Sequence, residues 1–245
     1  MAGTGANQPR INPAMSCSLD QIAAALLNHP ARRIPGRRWV RRCGVVLLLA
    51  DSDPSAGRDE PVLLMMTRAE RHGDPWSGHV SFPGGRVARD DASTRAAALR
   101  ELQEETGFDP EGSAEPIGRL SDLLTREHSR PLPMVVSPYV YRIPRALVLK
   151  PGIEAAELHW VPLSWLADPL RRQTLIWKVA GLRLPAPCID LDGARLWGLS
   201  LMMTRELLRV ARQAEKHSGA LTCPAQEQIS QATDAAAKDQ QIGKQ

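Results

Sequence analysis

The sequence predicts an α/β domain in which a mixed β-sheet is packed between helices. Three observations carry this expectation: several short apolar runs of strand length, a 3.6-residue periodicity in mid-chain and again near the end, and glycine- and proline-rich turns between them. With 245 residues, 43% of them hydrophobic and 24% charged, the chain has enough apolar surface for one substantial core. The folded domain is expected over 18–214, with a flexible segment at 1–17 and a disordered tail at 215–245, where Gln, Ala, Lys and Asp replace any apolar stripe.

Taken in order, Leu19, Ile22, Ala23 and Leu26 fall at helical spacing before Pro30 closes the helix. Gly44–Ala50 reads as a buried strand, 51–60 as a polar loop and Pro61–Thr67 as the returning strand of a hairpin. Turn formers crowd the passage from Arg71 to Gly85, which leaves room only for a short strand at Gly78–Phe82. Helical periodicity then runs from Asp91 to Thr106, where Gly107 supplies the stop. Beyond it, Ala114–Leu120, Met134–Arg142 and Leu158–Val161 are strands, and Pro162–Pro169 is a short helix bounded by prolines. Thr174–Val179 and Leu182–Leu184 form a hairpin around Gly181, and Trp197–Ala211 is the last amphipathic helix.

Composition narrows the class of function. The longest apolar run, Cys43–Ala50, is far short of the roughly 20 residues a membrane helix needs, and the first residues lack a signal-peptide apolar core. No membrane partner is expected. Cys17, Cys43, Cys188 and Cys223 stand apart, outside any metal-knuckle spacing, so a reducing, cytoplasmic setting is the expectation. Arg32, Arg33, Arg37, Arg38, Arg41 and Arg42 crowd one segment, which either attracts a polyanion or solvates the approach to the core. A single aromatic, Trp39, stands among them rather than an interleaved series, so nucleic acid is not an expected partner.

The segment with chemistry runs from Phe82 to Phe108. At about 100° per residue, Glu101, Glu104 and Glu105 share one face of the helix, and Ala92, Ala96, Leu99, Leu102 and Thr106 the other. Like charges four residues apart repel unless a cation lies between them. Carboxylates with no soft ligand suit Mg²⁺ or Mn²⁺. The paired glycines Gly84 and Gly85 allow the chain to approach the helix and to turn a carbonyl toward the same ion. Asp90 or Asp91 is expected to cap the helix. A solvated helix with an incidental Glu pair is the alternative that periodicity leaves open.

These residues resemble the Nudix box, G-x5-E-x7-R-E-U-x-E-E-x-G-U, with U an aliphatic residue. Gly85, Arg100, Glu101, Leu102, Glu104, Glu105 and Gly107 match in kind and order, with Phe108 at the final apolar place. Asp91 stands where the first glutamate is usual, one residue further from Arg100. That spacing, together with Val80-Ser-Phe-Pro-Gly-Gly85 and Ala98-Leu-Arg-Glu101, is similar to the coenzyme A pyrophosphatase branch. The resemblance spans roughly 40–210 and implies the Nudix fold, an α-β-α sandwich with a mixed sheet. It implies metal at Glu101, Glu104, Glu105 and the Gly84 carbonyl, Arg100 orienting the glutamates, and Asp91, Gly85 and Gly107 in structural or capping roles. The catalytic base would be Glu104, Glu154 or Glu157.

Arg68, Arg71, Trp76 and His79 are expected to contact substrate, the arginines through phosphates and the rings through a base. Phe82 is expected in the core. The implied activity is Mg²⁺- or Mn²⁺-dependent hydrolysis of a nucleoside diphosphate derivative, coenzyme A or an acyl-CoA first among them. ADP-ribose or a nucleoside triphosphate is the alternative substrate, and a nucleotide-sensing or RNA-associated protein is the non-enzymatic one. The expected partner is a small-molecule nucleotide, and a homodimer is compatible with the sequence.

Overall fold

The computed structural model describes residues 17–52, 60–70, 72, 76–126, 132–179 and 182–216. The expected flexible segment 1–17 and tail 215–245 lie outside them except for Cys17, which is buried, and Glu215 and Lys216, which are helical; Arg71 and the turn at Gly181 also lie outside.

The first helix, α1 (Leu19–Leu27), starts in a capping box. The Gln21 N–H donates to Ser18 Oγ at 3.3 Å, and the Ser18 N–H to Gln21 Oε1 at 2.8 Å. The hairpin of β1 (Arg41–Asp51) and β2 (Pro61–Arg68) forms as expected, antiparallel with Leu49 opposite Leu63. Two short strands follow, β3 (Val80–Ser81) against β2 and β4 (Gly84–Arg86) against β1. The helix α2 (Thr94–Thr106) comes next. Strands β5 (Glu115–Arg119) and β6 (Leu123–Arg126) both pair with β7 (Pro133–Arg145), which runs parallel to β1. The strand β8 (Ala155–Pro162) pairs with β2 and completes an eight-stranded mixed sheet among the described residues.

Side-chain alternation along β1 divides the core in two. Val45, Leu47 and Leu49 pack with Leu19, Ile22 and Leu26 of α1 and with Leu207 and Val210 of the last helix, α4 (198–216). Val46, Leu48 and Ala50 pack with Ala98 and Leu102 of α2. A strand covered on both faces must be apolar throughout, which is why β1 reads as an unbroken run. The result is the expected α-β-α sandwich with a mixed sheet. Phe82 is in the core, at 4% exposure.

Beyond the short helix α3 (Leu163–Ala167), the expected pairing of Thr174–Val179 with Leu182–Leu184 is present, but it belongs to a larger unit than expected. A separate three-stranded antiparallel sheet forms from β9 (Arg172–Val179), β10 (Leu182–Leu191) and β11 (Ala194–Trp197). Trp197 ends a strand and does not begin the final helix, because it pairs with Cys188 across β10–β11. The arginine-rich segment also divides. Arg37 turns inward to the buried Asp122 at 3.0 Å, whereas the Arg38 guanidinium lies 4.6 Å from the centre of the exposed Trp39 ring.

Candidate active site

The site is built where α2 crosses the start of β1. A Cβ at Gly44 would lie 2.0 Å from the Thr94 carbonyl oxygen, so only glycine lets helix and strand come this close. The neighbouring strand β4 then passes beneath the helix. A Cβ at Gly85 would lie 2.2 Å from the Glu101 carboxyl carbon, so the missing side chain is the space that Glu101 fills. The Gly84 N–H donates to Glu105 Oε2 at 2.9 Å. It is the amide of Gly84, on the opposite side of the residue from the carbonyl proposed as a ligand, that makes this contact.

The buried face of α2 differs from the one expected. Ala92 is exposed and Ala96 and Leu99 are half-buried, while Ala97, Ala98, Leu102, Glu105 and Thr106 are buried. Packing against the glycine strand rotates the acid face inward. Glu105 is therefore only 2% exposed, whereas the side chains of Glu101 and Glu104 are 18% and 58% exposed. The helix is capped by Ser93, which accepts the Ala96 N–H at 3.0 Å, and by Gly107 at φ 68°. Capping by Asp91 is thus corrected: its carboxylate accepts the Ala88 N–H at 2.7 Å and the Arg100 guanidinium at 3.0 and 3.1 Å.

Arg100 connects these groups. Held by Asp91 and the Arg86 carbonyl, it donates to Glu101 Oε1 at 2.9 Å and to Glu104 Oε2 at 3.1 Å. This bidentate grip by Asp91 fixes the guanidinium plane, and thereby the two glutamates. The Arg100 contact holds the Asp91 carboxyl below its usual value.

Charge in the cluster is undercompensated. Burial pushes the Glu105 carboxyl up to about 7; the Gly84 N–H opposes this, Glu101 and Glu154 add to it, and Arg68 opposes it. Burial raises Glu101 as well, with Arg100 in opposition and Glu104 and Glu154 in support. Beneath them, burial and the charges of Glu101 and Glu105 push the Cys43 thiol up to about 12, where it stays protonated and unreactive.

Glu154 reaches this cluster on a loop fixed to the helix. The Gly152 N–H donates to the Glu105 carbonyl at 2.8 Å, and the Ala69 N–H donates to the Glu154 carbonyl at 2.9 Å. A Cβ at Gly152 would lie 2.1 Å from the Glu104 carbonyl oxygen, so nothing separates loop from helix. Glu157 is not brought to the same place. Its side chain is 73% exposed and lies 3.6 Å from the His159 ring, which itself bonds Thr67 Oγ1 at 2.8 Å.

Of the expected substrate contacts, Arg68 lies close enough to act on Glu105, and Trp76 and His79 touch edge to face with ring centres 5.8 Å apart. Both rings also meet Trp197, which in turn meets Trp177. Neither of these last two tryptophans was expected at the site, since local pattern gave them only as strand and helix residues.

Among the described residues, no three acidic, histidine or cysteine side chains are already gathered as a metal cage. Arg100 occupies part of the space between Glu101 and Glu104 instead. The donor chemistry nevertheless fits a hard divalent cation: the converging atoms are all oxygens, and the raised Glu101 and Glu105 carboxyls lack enough positive charge.

Comparison with known proteins agrees with this arrangement. Residues 40–178, more than half of the chain, match the NUDIX domain. The chain is 38% identical over 111 residues to an uncharacterised Nudix hydrolase NudL of Citrobacter koseri, covering 44% of this chain and 54% of that protein. It is 29% identical over 155 residues to a Yersinia pestis protein of the same description, covering 63% and 74%. The chain thus spans about half the length of the first of these relatives. A MutT/nudix family protein from Enterococcus faecalis of known structure aligns at 20% identity and a TM-score of 0.47, covering 82% of this chain and 70% of that one. With the box residues gathered on one helix and the domain matched from β1 to β9, the chain belongs to the Nudix family.

Proposed function

We propose that the protein hydrolyses the pyrophosphate linkage of a nucleoside diphosphate derivative, with coenzyme A or an acyl-CoA as the leading substrate. The observation that carries the chemistry is the convergence of Glu101 and Glu105 on the glycine strand, with burial raising both and the charge of Glu154 acting on each. Glu101, Glu104, Glu105 and the Gly84 carbonyl would hold Mg²⁺ or Mn²⁺. When bound, the cation neutralises the phosphates and acidifies a nearby water.

The chain's own residues supply the rest. Arg100 positions Glu101 and Glu104, and Arg68 offers a cation toward the phosphates. Glu154 is the favoured base, since its charge acts on both Glu101 and Glu105. It takes a proton from water as the water oxygen bonds to one phosphorus. The bridging P–O bond breaks, and its electron pair and a solvent proton leave with the other phosphate. The coenzyme A preference rests on the FPGG and ALRE segments and the longer spacer at Asp91.

Product analysis tests both levels. Coenzyme A should yield phosphopantetheine and adenosine bisphosphate, ADP-ribose should yield AMP and ribose phosphate, and a triphosphate should release pyrophosphate. Glu101→Gln should lower kcat by about 100-fold or more, the size expected for one lost electrostatic contact to the transition state. Near-normal turnover by that variant would refute the assignment.

A further inference from the structure

The loop before the glycine strand and the three-stranded sheet meet in an aromatic cluster that the chemistry above does not use. Trp197 lies at its centre, 5.7 Å from Trp76, 5.2 Å from His79 and 5.6 Å from Trp177, measured between ring centres. The ring planes are inclined by 44°, 75° and 58°, so His79 meets Trp197 edge to face, the other two pairs are tilted, and none covers its neighbour as a parallel stack would. Trp177 is the outermost. It is 37% exposed and, among the described ring contacts, meets only Trp197.

The cluster is tied to the acid site through one strand end. At the end of β2, the Gly78 N–H donates to the Arg68 carbonyl and the Arg68 N–H to the His79 carbonyl, each at 3.0 Å. On the next residue the Ala69 N–H donates to the Glu154 carbonyl at 2.9 Å. The aromatic loop and the Glu154 loop therefore flank the same strand end. Two interstrand spacings put their backbones roughly 10 Å apart. A ribose linking a base to a diphosphate bridges a gap of this order, from the Glu154 loop to the Trp76 and His79 end of the cluster, with Trp197 and Trp177 one and two ring contacts further on.

We propose that Trp76, His79, Trp177 and Trp197 form a stacking site for the aromatic base of the nucleotide, with Trp177 as its open face. This rests on the pyrophosphohydrolase reading for the placement of the phosphates. Trp197 lies beyond the matched family domain and Trp177 almost at its edge, so base recognition is assigned to an element outside the catalytic machinery. Planar stacking is tolerant of base identity, and one base on an aromatic ring contributes enough binding that removing the ring weakens affinity by about 5- to 100-fold.

The test uses the full chain with Mn²⁺ and two probes that resist hydrolysis: α,β-methylene-ADP, and methylenediphosphonate, which has no base. Titration calorimetry should show Trp177→Ala weakening the first by at least about fivefold and the second by less than twofold, with Trp177→Phe retaining most of the affinity. Equal loss for both probes, or none for either, would overturn the proposal. Saturation-transfer NMR with adenosine, which lacks phosphates, separates the two readings. If the diphosphate probes fail to bind the native chain but adenosine still contacts it and loses that contact in Trp177→Ala, the stacking site stands and the pyrophosphohydrolase reading falls. Absence of any adenosine contact overturns the stacking site.

Discussion

Glu105→Gln should make the metal-free protein more stable while destroying the site. The side chain is 2% exposed, and its carboxyl is raised from 4.5 to about 7, chiefly by burial. A raised carboxyl opposes folding of the ionised form: the unfolded chain loses its proton first, so the penalty begins as pH rises past 4.5 and is complete above 7. Two and a half pK units correspond to about 3 kcal/mol at pH 8, against about 1 kcal/mol at pH 5. Glutamine keeps an oxygen for the Gly84 N–H and cannot ionise. Its amide still has to be buried, which offsets roughly 1 kcal/mol at every pH and leaves the slope intact. Thermal melts in EDTA should therefore show a Tm advantage for the variant that widens by about 4–8 °C between pH 5 and pH 8. Adding Mn²⁺ should stabilise the native protein and narrow the gap. A pH-independent difference, or a variant less stable than the native chain at pH 8, would refute the account of Glu105 as a buried, undercompensated carboxylate.

Two glycines give a contrast. In Gly85→Ala the new methyl meets the end of the Glu101 side chain, which can swing aside, so Tm should hold while Mn²⁺ affinity falls; in Gly152→Ala it meets the Glu104 backbone, and a loss of about 1–3 kcal/mol should appear in urea melts. Asp91→Asn frees Arg100 from its anchor and should weaken Mn²⁺ binding by about 10- to 100-fold by calorimetry, with little change in stability. The side chain of Asp122 is fully buried. Burial alone would raise its carboxyl, but the Ile34 N–H, the Ser137 hydroxyl, Arg119 and Arg37 together hold it low. Asp122→Asn should cost about 3–5 kcal/mol at neutral pH, and this difference should shrink as acid protonates the native carboxyl.

How far the sequence could be read depended on whether the signal was local. The periodicity of α1, the stop at Gly107 and the β1 run are each set by neighbours a few residues away, and each is legible. The parallel pairing of β1 with β7 joins residues about ninety positions apart and leaves no mark in either pattern. On α2, counting residues gave the acid stripe but not its orientation. The glycine strand draws Glu105 inward, a consequence of tertiary packing that turns an apparently solvated face into a buried one. Glu154 and Glu157 are equivalent in sequence, and tertiary contacts separate them: Glu154 acts on Glu101 and Glu105 from a loop bonded to Ala69, whereas Glu157 lies beside His159. The strand β11 did carry a local mark. Asp192 and Gly193, both at positive φ, make the two-residue turn typical of hairpins.

The seating of Gly152 directly on the last turn of α2 divides the 147–154 loop into parts under different constraint. On one side Glu154 is held by backbone bonds that do not depend on side-chain identity. At the loop's rim Val148 and Ile153 project fully or almost fully into solvent. Residues at the rim can therefore be exchanged without disturbing the backbone bonds that hold Glu154. Substitutions at Val148 and Ile153 should accordingly be tolerated where one at Gly152 is not.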